Sequence, residues 1–396
     1  MTTMTQSHAA ADLGTVDSVA AAVVRVLGAA PRPIALHEPR FNGNESRYVE
    51  ECLRTGWVSS AGAYVDRLER DLAAFTGAAS AIVTVNGTAA LHAALVLCGV
   101  GRDDEVLIPA LTFVATANAV SFCGAVPHLV EIDERTLGVD PAKLADYLAH
   151  TTTRTADGLI NRSTGRRIRA LVPMHCFGCP VDLDGVLAVC ERFGLTLIED
   201  AAESIGSYYN GRHTGTFGRL GILSFNGNKT ITTGGGGAIL TNDVALGKAA
   251  KHLTSTARVP HPWELRHDRV AFNYRMPNIN AAMGVAQVER LPELLRAKRA
   301  LADRYASELA GVPGVRFFTE PSGSISNYWL NTIILRDAAQ RDALLQRLHG
   351  EQILARPAWT LIGDLPMYTG VPSMELAVTR RLAAGLVNLP SSPHLA

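Results

Sequence analysis

The chain has 396 residues, 47% hydrophobic and 19% charged, the balance of a folded protein large enough for two or three domains. Lys plus Arg and Asp plus Glu both number 37, so no net charge attracts nucleic acid or an anionic membrane, and any anion must be bound locally. No apolar run approaches the ~20 residues of a bilayer span. Met1–Gly14 lacks the basic start and apolar stretch of a secretory signal, so a cytoplasmic location is expected.

Met1–Gly14 is polar and small, and its removal is expected to leave activity unchanged. Thr15–Leu27 places Val16, Val19, Val23, Val24 and Leu27 near one face, predicting a short amphipathic helix before the hinge Ala30-Pro31-Arg32-Pro33. From about residue 65 strands and helices alternate. Ala81–Val85 reads as a strand and Asn86-Gly87-Thr88 as the turn into a helix ending near Gly99. Strand Glu105–Pro109, helix Phe113–Cys123 and strand Val126–Ile132 follow, then strand Ala170–Met174, helix Leu183–Arg192 and strand Leu195–Asp200. Buried apolar strands in this rhythm predict an α/β fold with a mainly parallel sheet covered by helices on both faces. After about 290 the pattern changes to helix Leu291–Leu309, strands Val315–Thr319 and Trp329–Leu335, and helix Ala338–His349, which predicts a smaller α+β lobe. Of six cysteines only Cys176 and Cys179 are close, and no second pair lies nearby, so neither a disulfide framework nor a metal site is expected.

Three segments carry candidate chemistry. In Ile198-Glu199-Asp200-Ala201-Ala202-Glu203-Ser204, Asp200 falls at the carboxyl end of a buried strand, where open α/β sheets bind ligands. A carboxylate there needs a cationic partner, such as a protonated pyridine nitrogen; taken alone, it reads more readily as a helix N-cap. In Ser224-Phe225-Asn226-Gly227-Asn228-Lys229, followed by Gly234–Gly237, a lysine stands beside a flexible loop. It suits covalent attachment of a carbonyl cofactor if held in a pocket, and a solvated surface role if not. The spacing is not that of a nucleotide P-loop. Asn86-Gly87-Thr88-Ala89-Ala90 offers free N–H groups, the helix dipole and a hydroxyl to a phosphate, or merely caps a helix.

A phosphate cup, a strand-end aspartate and a lysine further along are together the parts that pyridoxal 5'-phosphate requires. The chain resembles the sugar aminotransferases of the DegT/DnrJ/EryC1/StrS family, within fold-type I of the aspartate aminotransferase-like transferases. The resemblance runs from about 34 to 393 and is carried by Thr84–Leu91, Leu111–Thr116, Glu199–Gly206, Ser224–Gly237 and Phe272–Pro277. It implies that Lys229 forms the Schiff base and shuttles the proton, and that Asp200 pairs with the ring nitrogen. It implies further that Phe113 stacks on the ring, where a core aromatic is the plain alternative, and that Glu203 lies near the ring hydroxyl. Gly87, Thr88 and Ser224 would hold the phosphate, and Asn273 would reach it from the second subunit of a homodimer. A dehydratase branch of the family carries histidine in place of this lysine, so Lys229 favours transamination over dehydration, and the intact Lys229/Asp200 pair argues against a non-catalytic, regulatory cofactor-binding role.

Within the family the chain is most similar to aminotransferases of the bacillosamine and legionaminic acid pathways. Leu36–Phe41, Trp57–Ser60, His175–Gly178, Pro260–Glu264, Asn327–Asn331, Asn388–Ser392 and the insert Asn161–Ile168 carry this similarity. It implies ping-pong transfer from L-glutamate, leaving 2-oxoglutarate, to C4 of a UDP-linked 4-keto-6-deoxy-N-acetylhexosamine. C3 amination or a dTDP- or GDP-linked sugar is the alternative. Tyr274, Arg275 and His261 are candidates for the substrate rim, with a structural ion pair as an equal reading of Arg275. The expected organisation is an extension (1–29), a small-domain segment (30–59), a cofactor-binding large domain (60–285) and a small C-terminal domain (286–396).

Overall fold

The structure, a computed structural model, describes residues 13–396; most of the polar start expected to be dispensable lies outside the described residues. The chain enters through helices α1 (Leu13–Leu27), α2 (Glu45–Thr55) and α3 (Ala63–Thr76). The large lobe follows as β1 (Ser80–Thr84), α4 (Gly87–Leu97), β2 (Glu105–Pro109), α5 (Val114–Phe122), β3 (Val126–Val130) and α6 (Pro141–Thr151). It continues through the hairpin β4 (Thr152–Thr155) and β5 (Gly158–Asn161) to β6 (Arg167–Leu171), α7 (Leu183–Phe193) and β7 (Thr196–Asp200). The short strands β8 (Tyr208–Tyr209) and β9 (Arg212–His213) precede β10 (Leu220–Ser224), β11 (Gly237–Thr241), α8 (Val244–Thr254) and the ribbon β12 (Arg258–Val259) with β13 (Arg266–His267).

The main sheet runs β1-β11-β10-β7-β6-β2-β3, with β4 and β5 attached at β6. Strands β10, β7, β6, β2 and β3 are parallel, and β11 is antiparallel to both its neighbours. The predicted mainly parallel sheet is therefore present. Val106, Leu107 and Ile108 of β2 have no exposed surface, as a strand covered on both faces requires. The strand read at Ala170–Met174 is drawn back to Arg167–Leu171, because Met174 makes only an isolated bridge to Asp200. Side-chain oxygens of Asn86, Asp140, Asp182, Asp243 and Asp337 accept first-turn N–H groups and fix where helices begin, the last of them for a helix of the small lobe. The insert Asn161–Ile168 is the turn between β5 and β6. The buried Glu105 ties it to the sheet, accepting from Asn161 Nδ2 at 2.9 Å and Thr164 Oγ1 at 2.6 Å.

Helix α9 (Asn278–Leu309) begins at Asn278 rather than at the expected Leu291. Pro292 looks like a helix start in the sequence, yet lies inside this long helix. The small lobe adds β14 (Val315–Phe317), β15 (Ser324–Ile325), β16 (Asn331–Leu335), α10 (Ala338–Gly350), β17 (Arg356–Pro357), α11 (Ala377–Gly385) and β18 (Leu386–Leu389). Its antiparallel sheet runs β14-β16-β18-β17, and β15 pairs with β8 of the large lobe. The expectation of a separate segment before residue 30 needs correction for its helix. The valine face of α1, with Val16, Val19, Val23 and Val26 buried, packs with Leu301, Tyr305 and Leu309 of α9 and Leu344 and Leu348 of α10 into one core.

Candidate active site

The site lies where the parallel strands end. β7 ends on Asp200 and β10 on Ser224, while the turns after β1 and β2 bring in Gly87, Thr88 and Phe113. These residues, with Glu203, Asn228, Lys229, Trp329 and Trp359, line one cavity of about 260 Å³. Seven of the sequence-derived candidates, Gly87, Thr88, Phe113, Asp200, Glu203, Ser224 and Lys229, are thus brought together.

Asp200 is buried and no helix follows it, which removes the N-cap reading. Its Oδ2 accepts from Thr116 Oγ1 at 2.7 Å and its Oδ1 from the Ala202 N–H at 3.2 Å. Burial pushes its carboxyl above the ordinary range, opposed by the Thr116 hydroxyl, the Ala202 N–H and the Lys229 charge. It is a dry acceptor that a cationic ring nitrogen would satisfy. The neighbouring Glu199 faces away from the cavity. It accepts from His175 Nε2 at 3.1 Å and from the Gly215, Phe217 and Gly218 N–H groups at 2.7 Å each, which ties the loop before β10 to β7.

Lys229 Nζ stands 3.0 Å from Glu203 Oε1 and 3.8 Å from the centre of the Trp329 ring. Trp329 is fixed in turn by its indole N–H donating to the Asn228 carbonyl at 2.7 Å. The Phe177 N–H donates to Glu203 Oε2 at 2.9 Å, and Phe177 holds a φ of 54°, a left-handed conformation rare for an aromatic residue. Burial pushes the Glu203 carboxyl up to about 7 against the pull of Lys229. The folded pKa is raised, so the stabilisation this group contributes is complete below the unfolded value and fades as pH rises from about 4.5 through about 7. Glu203→Gln does not titrate and should gain on the wild-type protein over that interval. Melting curves of the two cofactor-free proteins between about pH 5 and about pH 8 should show the Tm difference moving steadily in the variant's favour, and a constant difference would contradict this.

Other candidates lie outside the cavity of their own chain. Asn273 is exposed and accepts from Arg275 Nε at 3.1 Å. Tyr274 contacts His92 Nδ1 through its hydroxyl at 3.1 Å and stacks on Phe272. His261 Nδ1 accepts the Glu264 N–H at 2.9 Å, capping a turn. Sequence reasoning missed Thr116, Trp329 and Trp359 as lining residues. Thr116 lay in Leu111–Thr116 and Trp329 in the segment Asn327–Asn331, both of which carried only the family resemblance. Asn327 Nδ2 donates to the Glu203 and Ile205 carbonyls at 2.9 Å and pins that segment to the site. Cys176 and Cys179 are free, buried thiols, and among the described residues no group of His, Cys, Asp and Glu is placed to hold a metal ion.

The residues fit pyridoxal phosphate. A Cβ on Gly87 would come within 2.9 Å of Ser224 Cβ, so the start of α4 can approach Ser224 only as glycine. Asn86 Oδ1 caps the Ala89 N–H at 2.8 Å, leaving Gly87 and Thr88 at helix-start positions whose N–H groups have no intrahelical acceptor. A glycine-threonine helix start that a phosphate would fit, a lysine and a buried carboxylate around one cavity match what a pyridoxal phosphate enzyme requires.

The family model for the DegT/DnrJ/EryC1/StrS aminotransferase family matches residues 39–396. The chain is 37% identical to the GDP-perosamine synthase of Vibrio cholerae over 91% of its own length and 95% of the relative's. It is 36% identical to EpsN of Bacillus subtilis, provisionally designated a pyridoxal phosphate-dependent aminotransferase, over 85% of its length and 84% of the relative's. The aminotransferase TlmJ from Streptoalloteichus hindustanus superposes with a TM-score of 0.83 at 29% identity, covering 92% of this chain and 94% of the other. The chain belongs to the DegT/DnrJ/EryC1/StrS aminotransferase family and is a pyridoxal phosphate-dependent sugar aminotransferase.

Proposed function

We propose that the protein transfers an amino group from glutamate to C4 of a nucleotide-linked 4-keto-6-deoxyhexose by a ping-pong mechanism. The observation that carries this is the convergence of Lys229, Asp200 and the glycine-threonine helix start on one cavity. When bound, the cofactor accepts the amino group from the donor and passes it to the acceptor. Gly87, Thr88 and Ser224 hold the phosphate, Phe113 covers the ring, and Asp200 keeps the ring nitrogen protonated. Lys229 Nζ takes and returns the proton at the α-carbon of glutamate and at C4 of the sugar. Glu203, hydrogen-bonded to Nζ, steadies that amine between the two half-reactions.

The active form in this reading is a homodimer in which Asn273 serves the site of the second subunit. Its exposure outside its own cavity suits that role, as do the exposed Trp57, Trp263, Leu265 and Val270. Sedimentation at assay concentration should give an active dimer, and an active monomer would refute the role of Asn273.

For the nucleotide, the extended similarity to the Vibrio relative, which is named for a GDP-linked product, favours GDP. The UDP-linked N-acetylhexosamine implied by the shorter motifs is the second reading. Parallel assays of GDP-, UDP- and dTDP-linked 4-keto-6-deoxy sugars decide between them. The preferred one should win in kcat/KM by about tenfold or more, roughly 1.4 kcal/mol of transition-state preference. A dTDP preference of that size would remove both nucleotide readings.

A further inference from the structure

Beside the cofactor cavity lies a second and larger one of about 1010 Å³, and Phe113, Asn228, Trp329 and Trp359 line both. Its far wall comes from the small lobe and includes His37, Gln346, Arg356 and Asn388. His37 is the unusual member. It is only 8% exposed, yet neither ring nitrogen has a hydrogen-bond partner among the described residues. An unmet buried donor or acceptor costs about 1–3 kcal/mol, so two on one ring are not expected unless something outside the chain satisfies them.

The backbone allows His37 little freedom to turn away. The Ile34 N–H donates to the Gln352 carbonyl at 2.8 Å, the Ser391 N–H to the Leu36 carbonyl at 2.7 Å, and the Glu38 N–H to Ser392 Oγ at 2.8 Å. The segment is laced to the small lobe on both sides of the histidine. Lys298, whose charge His37 feels, spends hydrogen bonds on the Trp329 and Ser391 carbonyls at 3.1 and 2.7 Å. Burial, then the charges of Lys298 and Lys229, hold the imidazole well below its ordinary pKa, so the ring is neutral. A neutral imidazole offers one N–H donor and one acceptor nitrogen.

That pair of demands selects among ligands. A cation is disfavoured by the two lysines. The carboxylates of glutamate accept but do not donate, and its amine is the reacting group. A hydroxyl both donates and accepts, so a polyol satisfies the ring where the amino donor does not. We propose that His37 reads the hexose of the acceptor by bonding a ring hydroxyl, and that the larger cavity houses the sugar nucleotide. This rests on the reading of the protein as a keto-sugar aminotransferase, and makes His37 a specificity-determining residue for the acceptor half-reaction alone.

The test separates the two halves in the holoenzyme. His37→Phe keeps a planar ring and deletes both nitrogens; His37→Gln keeps one donor and one acceptor. Glutamate alone, followed by the change in cofactor absorbance, should react with either variant within about threefold of the wild-type rate. With the amino-loaded enzyme and GDP-4-keto-6-deoxyhexose, His37→Phe should lower kcat/KM at least about tenfold, and His37→Gln should recover much of the loss. Calorimetry with a GDP-linked 6-deoxyhexose should show the same weakening in His37→Phe, with binding of GDP alone unchanged. Equal loss in both half-reactions, or wild-type acceptor kinetics in His37→Phe, would overturn the proposal. If wild-type enzyme ignores the GDP sugar but uses the UDP- or dTDP-linked one, the nucleotide reading fails, and the same comparison on that sugar still decides the role of His37.

Discussion

Lys229→Ala should abolish turnover, by at least ~10³-fold, and remove the visible absorbance band that the purified enzyme owes to its lysine-bound cofactor. Among the described residues lining the cavity Lys229 is the one lysine, so no neighbour can take over attachment or proton transfer. The loss should not come from misfolding. Removing Lys229 leaves Glu203 without its ion pair, but burial already pushes that carboxyl up to about 7, and without the lysine it simply keeps its proton. The Phe177 N–H still holds its other oxygen. An unchanged circular dichroism spectrum with no band and no turnover is the expected triad of results. A variant that keeps both colour and full activity would remove the basis for placing the chemistry at Lys229.

Much of the site was legible in the sequence because its parts are local. Asp200 closes an apolar run, Gly87 and Thr88 open a helix after another, and Lys229 follows the strand that ends in Ser224. Each is placed by one strand and one turn, and strand-end geometry does the rest. The second wall was not legible. Trp329, Trp359 and His37 come from distant parts of the chain, and only the packing of the small lobe onto the large one brings them to the cavity. Nothing in the periodicity around His37 separates it from a buried core histidine; its signal is the absence of partners, which exists only in three dimensions. The same limit misplaced the start of α9. A proline normally marks the first turn of a helix, but here Ala281, Ala282, Val285 and Ala286 are buried in the large-lobe core ahead of it and continue the helix backwards to Asn278.

Asp200→Asn should fold and bind cofactor yet lose most of its activity, about 10²-fold or more in kcat. The substitution is nearly isosteric, and the amide oxygen can still accept from Thr116 or the Ala202 N–H, the two donors that now hold the carboxylate. What the amide cannot do is stabilise a proton on a pyridine nitrogen beside it. The carboxylate does so because it is buried: its own pKa is raised for want of a strong counter-charge, and a cation placed against it reverses that cost. Each unit by which the pair raises the nitrogen's pKa is worth about 1.4 kcal/mol, and a buried pair shifts it by several. In the proposed mechanism a neutral ring withdraws electrons poorly, so the proton that Lys229 would remove from the donor's α-carbon or return to the sugar's C4 becomes harder to move, and both half-reactions should slow together. This distinguishes Asp200 from His37, whose loss should slow only the acceptor half. Rapid-mixing traces with glutamate alone and with the keto sugar alone read the two separately. Wild-type rates in both for Asp200→Asn would show that the ring nitrogen is held by some other group.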